Sequence, residues 1–169
     1  MRKLGLIALF IAFIFTSATY AKPKSNQMLL TASDGTVLEL NITDGGFVFP
    51  QYPEKTVMLN FFGPMCPPCM IKMPHLNELQ ENHTKDIQII SIQVQLDMSD
   101  EELDDFIKTN NIKHPVVNLN NAWDIVTFIR ANTDWQGEIP YMMMFGKDGN
   151  HKESYMGVVS NTKILGDMK

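Results

Sequence analysis

The feature that most constrains this chain of 169 residues is the placement of its only two cysteines, in the segment Cys66-Pro67-Pro68-Cys69. An apolar run from Val57 to Phe62 lies just before this segment and predicts a buried strand. A helical pattern follows from about Pro68 to His83. Cysteines with this spacing at the start of a helix are close enough to form a disulfide. The pattern therefore predicts a strand that delivers a dithiol to the N-terminus of a helix.

This cysteine pair is better suited to redox chemistry than to stabilising the fold. Closing so short a loop contributes only about 2 kcal/mol, less than a disulfide that closes a long loop. A helix N-terminus favours the thiolate, which is the attacking form, so we expect Cys66 to attack and the more buried Cys69 to resolve the mixed disulfide. Pro67 and Pro68 supply no N–H to the Cys66 thiolate, whereas the positive charge of Lys72 favours it. These two effects on the cysteine pKa oppose one another.

Two metal-binding interpretations use the same cysteines. Structural zinc needs two further ligands, and the four histidines lack the spacing of a zinc site, so each is expected at the surface: His75, His83, His114 and His151. Copper(I) is the stronger alternative, because thiolate and thioether ligands select it and Met65, Met70 and Met73 flank the cysteines. Such methionines also fill gaps in cores, and alternation directs at least one of Met142, Met143 and Met144 away from a shared site. We expect a protein that needs no metal and no organic cofactor.

The rest of the chain alternates strand and helix patterns. A β-hairpin is predicted from Leu29–Thr31 and Val37–Ile42 around the turn signal Asp34-Gly35, followed by a loop from Gly45 to Pro53. Further strands are predicted at 87–94, 115–119, 141–145 and 151–156. Helices are predicted at 99–109 (opened by a Ser99–Glu102 capping box), at 121–130 and after Ser160. Pro74 is expected to kink the first helix. This order predicts an α/β fold with a mixed central sheet flanked by helices and an N-terminal β-hairpin.

Residues 1–21 have the pattern of a secretory signal peptide. Arg2 and Lys3 precede an apolar run from Leu4 to Phe15, and small residues lead to a cleavage position after Ala21. An uncleaved membrane anchor is the alternative, and only then is membrane contact expected. The predicted organisation is a leader at 1–21 and one domain at 22–169, periplasmic or secreted. The net charge of −5 argues against nucleic-acid binding.

The segment from Leu59 through Cys69 to Leu76, with Gly137-Glu138-Ile139-Pro140-Tyr141 and Lys147-Asp148-Gly149, resembles the TlpA/ResA-like branch of the thioredoxin superfamily. The resemblance covers about residues 28–165. It implies a thioredoxin-like fold and an extracytoplasmic enzyme that exchanges disulfides with protein thiols or disulfides. A membrane electron donor belongs among the implied partners.

The same resemblance assigns roles to individual residues. Pro140 looks like the family's cis-proline that faces the cysteines, with the Ile139 backbone free to pair with an extended substrate segment. Asn60 matches this branch of the superfamily. Three positions depart from the pattern: Met65 and Phe62 replace the usual tryptophans, and Lys72 replaces a common acidic residue. The last departure puts the family's reductant role in question.

Overall fold

The structure is a computed structural model that describes residues 26–169. The predicted leader and its cleavage position lie outside the described residues. In the described part, the strands are β1 (Gln27–Thr31), β2 (Val37–Thr43), β3 (Gly46–Val48), β4 (Thr56–Phe62), β5 (Ile87–Gln93), β6 (Val116–Val117), β7 (Tyr141–Phe145) and β8 (His151–Met156). The helices are α1 (Pro67–Asn82), α2 (Asp100–Thr109), α3 (Leu119–Asn132) and α4 (Asn161–Asp167). Within residues 26–169, no helix has both the length and the apolarity needed to cross a membrane.

A five-stranded sheet of order β6-β5-β4-β7-β8 forms the centre of the molecule. β4 pairs in parallel with β5 and antiparallel with β7, which confirms the predicted mixed sheet. All seven residues of both β4 and β5 are buried, because helices or a second sheet cover both faces. Long apolar runs, with little polar alternation, are typical of strands covered on both sides.

The N-terminal hairpin is present and belongs to a small second sheet of order β1-β2-β3. Its turn is the predicted one: Gly35 has a φ of 83°, and the Asp34 carboxylate accepts the Thr36 N–H at 2.9 Å. The interval from Gly45 to Pro53 was expected to be all loop, and here the prediction is wrong for β3. This strand has only three residues, and it forms because its backbone pairs with β2.

Two isolated bridges tie this N-terminal sheet to the central sheet. Ala32 pairs with Val117 at one edge, and Gly46 pairs with Asn150 at the other. The small sheet therefore spans one face of the large one. It covers that face together with α3.

The helices follow the predicted pattern with shifted ends. α1 continues through Pro74, and α2 has the predicted capping box, in which Ser99 and Glu102 bond each other's backbone N–H. β6 is shorter than predicted and α3 begins earlier, because Asn118 already occupies the N-cap position of α3. Ser160 caps α4 as expected, by accepting the Lys163 N–H.

The central sheet separates two hydrophobic clusters. The α3 face carries an apolar cluster, aliphatic with several aromatic rings, to which α3 and the N-terminal sheet contribute. The α1 face carries a cluster in which α1, α2 and α4 cover the sheet, and this cluster contains both cysteines. Strand alternation assigns the side chains: Phe61 lies on the α3 face and Phe62 on the α1 face.

Candidate active site

Cys66 and Cys69 form a disulfide at the N-terminus of α1, with Cα atoms 5.2 Å apart. Cys66 is the N-cap residue, and its Sγ accepts the Cys69 N–H at 3.3 Å. Pro67 and Pro68 occupy the first two helical positions, so Cys69 supplies the first available N–H of the helix. Cys66 is 6% exposed and Cys69 2%, the order expected for an attacking and a resolving cysteine.

A close contact between the Gln95 side chain and the Gly63 backbone positions the turn between β4 and Cys66. The Gln95 side chain packs against Gly63, where an added Cβ would lie 2.3 Å from its Oε1. The same Oε1 accepts the Met65 N–H at 2.9 Å. Gln95 therefore holds the segment that enters the active site. The sequence gives no signal for this role, because Gln95 follows β5 and is distant from Met65 along the chain.

The Ile139–Pro140 peptide bond is cis, as the resemblance predicts. Pro140 directly precedes β7, which pairs with β4, the strand that leads to Cys66. The Pro140 carbonyl accepts the Gly157 N–H at 2.8 Å, which fixes this loop to the chain beyond β8. Ile139 packs against both hydrophobic clusters, including the one that contains the cysteines.

Lys72 is buried rather than solvated, with only 1% of its surface exposed. Its Nζ donates to the Val159 carbonyl at 2.6 Å and to Asn161 Oδ1 at 3.1 Å. Asn161 in turn donates from Nδ2 to the His75 carbonyl at 2.8 Å. Burial lowers the pKa of Lys72 to about 8. Lys72 thus connects α1, one turn beyond Cys69, to the start of α4.

A buried polar chain crosses the α1 face of the sheet. Asn60 donates from Nδ2 to Ser91 Oγ at 2.9 Å, and Ser91 Oγ lies 2.7 Å from His114 Nε2. Burial lowers the pKa of His114 to about 3, so the ring is neutral at physiological pH. The expectation that each histidine lies at the surface is wrong for His114. One feature of the sequence does indicate this burial: His114 lies directly before Pro115 and the buried strand β6.

The methionines surround the cysteines unevenly. Met73, Met142 and Met144 belong to the buried cluster that contains both sulfurs, whereas Met65 is largely exposed. Met143 faces the opposite side of the sheet, as alternation predicts. Within residues 26–169, no group of three or more histidine, cysteine, aspartate or glutamate side chains has a metal-binding arrangement.

Comparison with known proteins places this geometry in a family context. The profile of the thioredoxin-like family matches residues 54–151. A relative named thiol-disulfide oxidoreductase ResA, from Bacillus anthracis, is 29% identical over 144 residues, which is 85% of this chain and 73% of that protein.

Two solved structures share the fold at low sequence identity. A thiol:disulfide interchange protein from Chlorobium tepidum superposes with a TM-score of 0.66 at 19% identity, covering 85% of this chain and 91% of that one. A secreted disulfide oxidoreductase from Mycobacterium tuberculosis gives a TM-score of 0.59 at 19% identity, covering 84% and 94%.

Proposed function

The chain belongs to the thioredoxin-like family, and we propose that it is a thiol–disulfide oxidoreductase that exchanges disulfides with partner proteins through Cys66 and Cys69. The observation that carries this proposal is the position of the pair. Cys66 caps α1 directly after a buried strand, and its sulfur accepts the Cys69 N–H. The relatives named ResA carry this activity in their names, and their sequences align with 85% of this chain.

The proposed reaction consists of two exchanges. The Cys66 thiolate attacks one sulfur of the partner's disulfide; a mixed disulfide forms, and the partner's other sulfur leaves as a thiolate that takes a proton from water. Cys69 then loses its proton and attacks the Cys66 sulfur, which releases the partner's second thiolate. Two electrons pass from the protein dithiol to the partner, and the Cys66–Cys69 disulfide remains. The reverse sequence oxidises a partner dithiol.

The surrounding residues have supporting roles in this proposal. Pro67 and Pro68 withhold N–H donors, so the Cys69 N–H is the helix donor that stabilises the Cys66 thiolate. The Ile139 backbone, beside the cis peptide bond of Pro140, pairs with an extended segment of the partner. Asn60, through Ser91, and Lys72, through Val159 and Asn161, are positioning residues on the α1 face.

We also propose that the protein works outside the cytoplasm, periplasmic or secreted, with residues 1–21 as a signal peptide and 22–169 as its domain. Disulfide exchange of this kind is suited to an oxidising compartment. A membrane-bound donor then restores the dithiol after each reductive cycle. N-terminal sequencing of the secreted protein should find Lys22, and a membrane-bound protein that still begins at Met1 would replace the signal peptide with an anchor.

Cysteine variants test the proposed reaction. The reduced protein should reduce a model protein disulfide, and Cys66→Ser should abolish this activity because the attacking sulfur is lost. Cys69→Ala should instead accumulate a Cys66-linked mixed disulfide with the partner, visible by non-reducing electrophoresis and mass spectrometry. The copper interpretation predicts a different result: tight, stoichiometric Cu(I) binding to the dithiol protein with no disulfide exchange. That outcome would overturn the proposal.

A further inference from the structure

A large cleft lies on the α3 face of the central sheet, away from the α1 helix that carries the cysteines. It has a volume of about 930 Å³, within the size range of ligand-binding clefts. Its floor is formed by Tyr141, Met143 and Phe145 of β7 with Ser154 and Met156 of β8. We call it the α3-face cleft.

Aromatic side chains form the two ends of the α3-face cleft. At one end, the Phe47 ring lies 5.8 Å from Phe128 and 5.0 Å from Phe145. At the other end, Trp135 stacks on Tyr141 with ring centroids 5.3 Å apart and planes 9° from parallel. Phe47 and Trp135 are each only 3% exposed, so these rings bound the cleft as packed apolar walls.

The rim of the cleft is acidic. Asp44, Asp134 and Glu138 all line it, and all three are exposed. Within residues 26–169, neither of the ion pairs involves them, and Arg130 acts on Glu138 only at longer range. Three carboxylates around aromatic walls are complementary to a cationic and apolar ligand.

The cleft is open along β8, which is the last strand of the sheet. Met156 on this strand is 59% exposed and forms part of the floor. An extended polypeptide can therefore enter the cleft sideways, from the open side along β8.

The cleft is continuous with the loop that carries the cis-proline. Trp135 and Glu138 line the cleft, and Glu138 directly precedes Ile139 and the cis-proline. Ile139 packs against the clusters on both faces of the sheet. A partner segment that pairs with the Ile139 backbone therefore has a direct path into the cleft.

We propose that the α3-face cleft is a second recognition site for the partner protein, which binds a segment near the reactive cysteine that carries lysine or arginine beside an aromatic side chain. The cation meets the acidic rim, and the aromatic side chain packs between the Phe47 and Trp135 ends. This inference rests on the proposed function and extends it by specifying the chemistry of the partner.

Peptide binding to the oxidised protein tests the cleft without any redox step. The probe is a short fluorescently labelled peptide with lysine and phenylalanine beside a serine in place of cysteine, and its matched control has glutamate in place of lysine. The lysine peptide should bind more tightly. Its Kd should rise about three- to tenfold at low salt in Asp134→Asn/Glu138→Gln. Met156→Lys should also weaken binding, because it places a cation on the floor.

The matched control protein is Glu81→Gln/Asp86→Asn, which makes the same charge change at exposed positions near the C-terminal end of α1. It should bind the lysine peptide as the wild type does. We call Asp134→Asn/Glu138→Gln the rim variant. Equal Kd values for the lysine peptide in the rim variant and this control, or equal binding of the lysine and glutamate peptides to wild type, would overturn the proposal. A thermal unfolding curve like that of the wild type excludes loss of fold as the cause.

A kinetic experiment separates this proposal from the proposed function. The rim variant should slow exchange with a disulfide of the lysine–phenylalanine peptide but leave unchanged the rate with the small, neutral bis(2-hydroxyethyl) disulfide. Equal slowing with both disulfides would contradict a recognition role. If wild-type protein reacts with neither disulfide but still binds the lysine peptide more tightly than Asp134→Asn/Glu138→Gln does, the proposed function is wrong and the cleft assignment stands.

Discussion

The two faces of the central sheet differ in what they bury. On the α1 face, which also carries the cysteines, the sheet and its helices bury Asn60, Ser91, His114 and Lys72. On the α3 face, the middle of the sheet presents apolar and aromatic side chains: Leu59, Phe61, Ile90, Ile92 and Met143. Both faces belong to the same strands, since alternate residues point to opposite sides.

This difference shows how one sheet separates stability from chemistry. Truncating one of several packed aromatic rings lowers the free energy of unfolding by several kcal/mol. We therefore expect the α3 face to make the larger contribution to stability. The α1 face combines hydrogen-bonded polar groups with adaptable methionines, and its properties depend on pH and charge. The predictions below test this contrast, from the largest expected effect to the smallest.

Truncating adjacent phenylalanines compares the faces directly. Phe61→Ala should lower the free energy of unfolding by about 3–5 kcal/mol, because the ring lies 4.5 Å from Trp135 and 6.0 Å from Tyr141. Phe62→Ala, whose ring has Phe106 at 5.8 Å, should cost about 1 kcal/mol less, because methionines can partly fill the space. Urea unfolding of the two variants measures both values. A larger loss for Phe62→Ala would reverse the assignment of the two faces.

Acid should destabilise the α1 face through His114. The folded pKa is about 3, whereas an unfolded histidine titrates near 6.5, so between these values the unfolded state binds more protons. The free energy of unfolding should therefore fall by about 2–3 kcal/mol from His114 alone between pH 6.5 and 4.5. Urea unfolding against pH should show a flatter acid limb for His114→Gln, which keeps an acceptor for Ser91.

The control for this titration is His75→Gln, at an exposed histidine on α1. It should retain the wild-type slope. If His114→Gln and wild type lose stability in parallel on acidification, His114 is not the group responsible.

The smallest expected effect on stability concerns Lys72. Lys72→Met keeps the side-chain volume but leaves the Val159 and Asn161 oxygens without this donor, so stability should fall by about 1 kcal/mol. Loss of the positive charge should raise the thiol pKa values and make the reduction potential more negative. The expected shift is tens of millivolts, since about 30 mV corresponds to 1.4 kcal/mol. Titration against a glutathione buffer measures it, with the exposed Lys85→Met as control. Identical potentials for all three proteins would mean that Lys72 has only a structural role.

The predictable features were those that depend on neighbours in the chain. β4, the helix after Cys66, the Asp34-Gly35 turn and the Ser99 cap each follow from local apolar pattern or local hydrogen bonding. The cis form of Pro140 was predicted only through resemblance to the family, because no local pattern distinguishes it from a trans proline.

The missed features depend on contacts between distant segments. β3 exists because it pairs with β2, and His114 is buried where its ring meets Ser91 of β5. Gln95 reaches the active-site turn from the end of another strand. The α3-face cleft needs residues from five separate elements, β2, β3, α3, β7 and β8, so no single stretch of sequence carries its pattern.

The bridges from the N-terminal sheet to the two edges of the central sheet also imply an order of events in time. A chain released N-terminus first contains β1, β2 and β3 long before Val117 and Asn150, the partners of Ala32 and Gly46. Until then, Leu30, Leu38 and Leu40 have no α3 or β7 to cover them. Contacts between segments so far apart form slowly, because loop closure must precede them. We therefore expect docking of the N-terminal sheet to be among the last steps of folding.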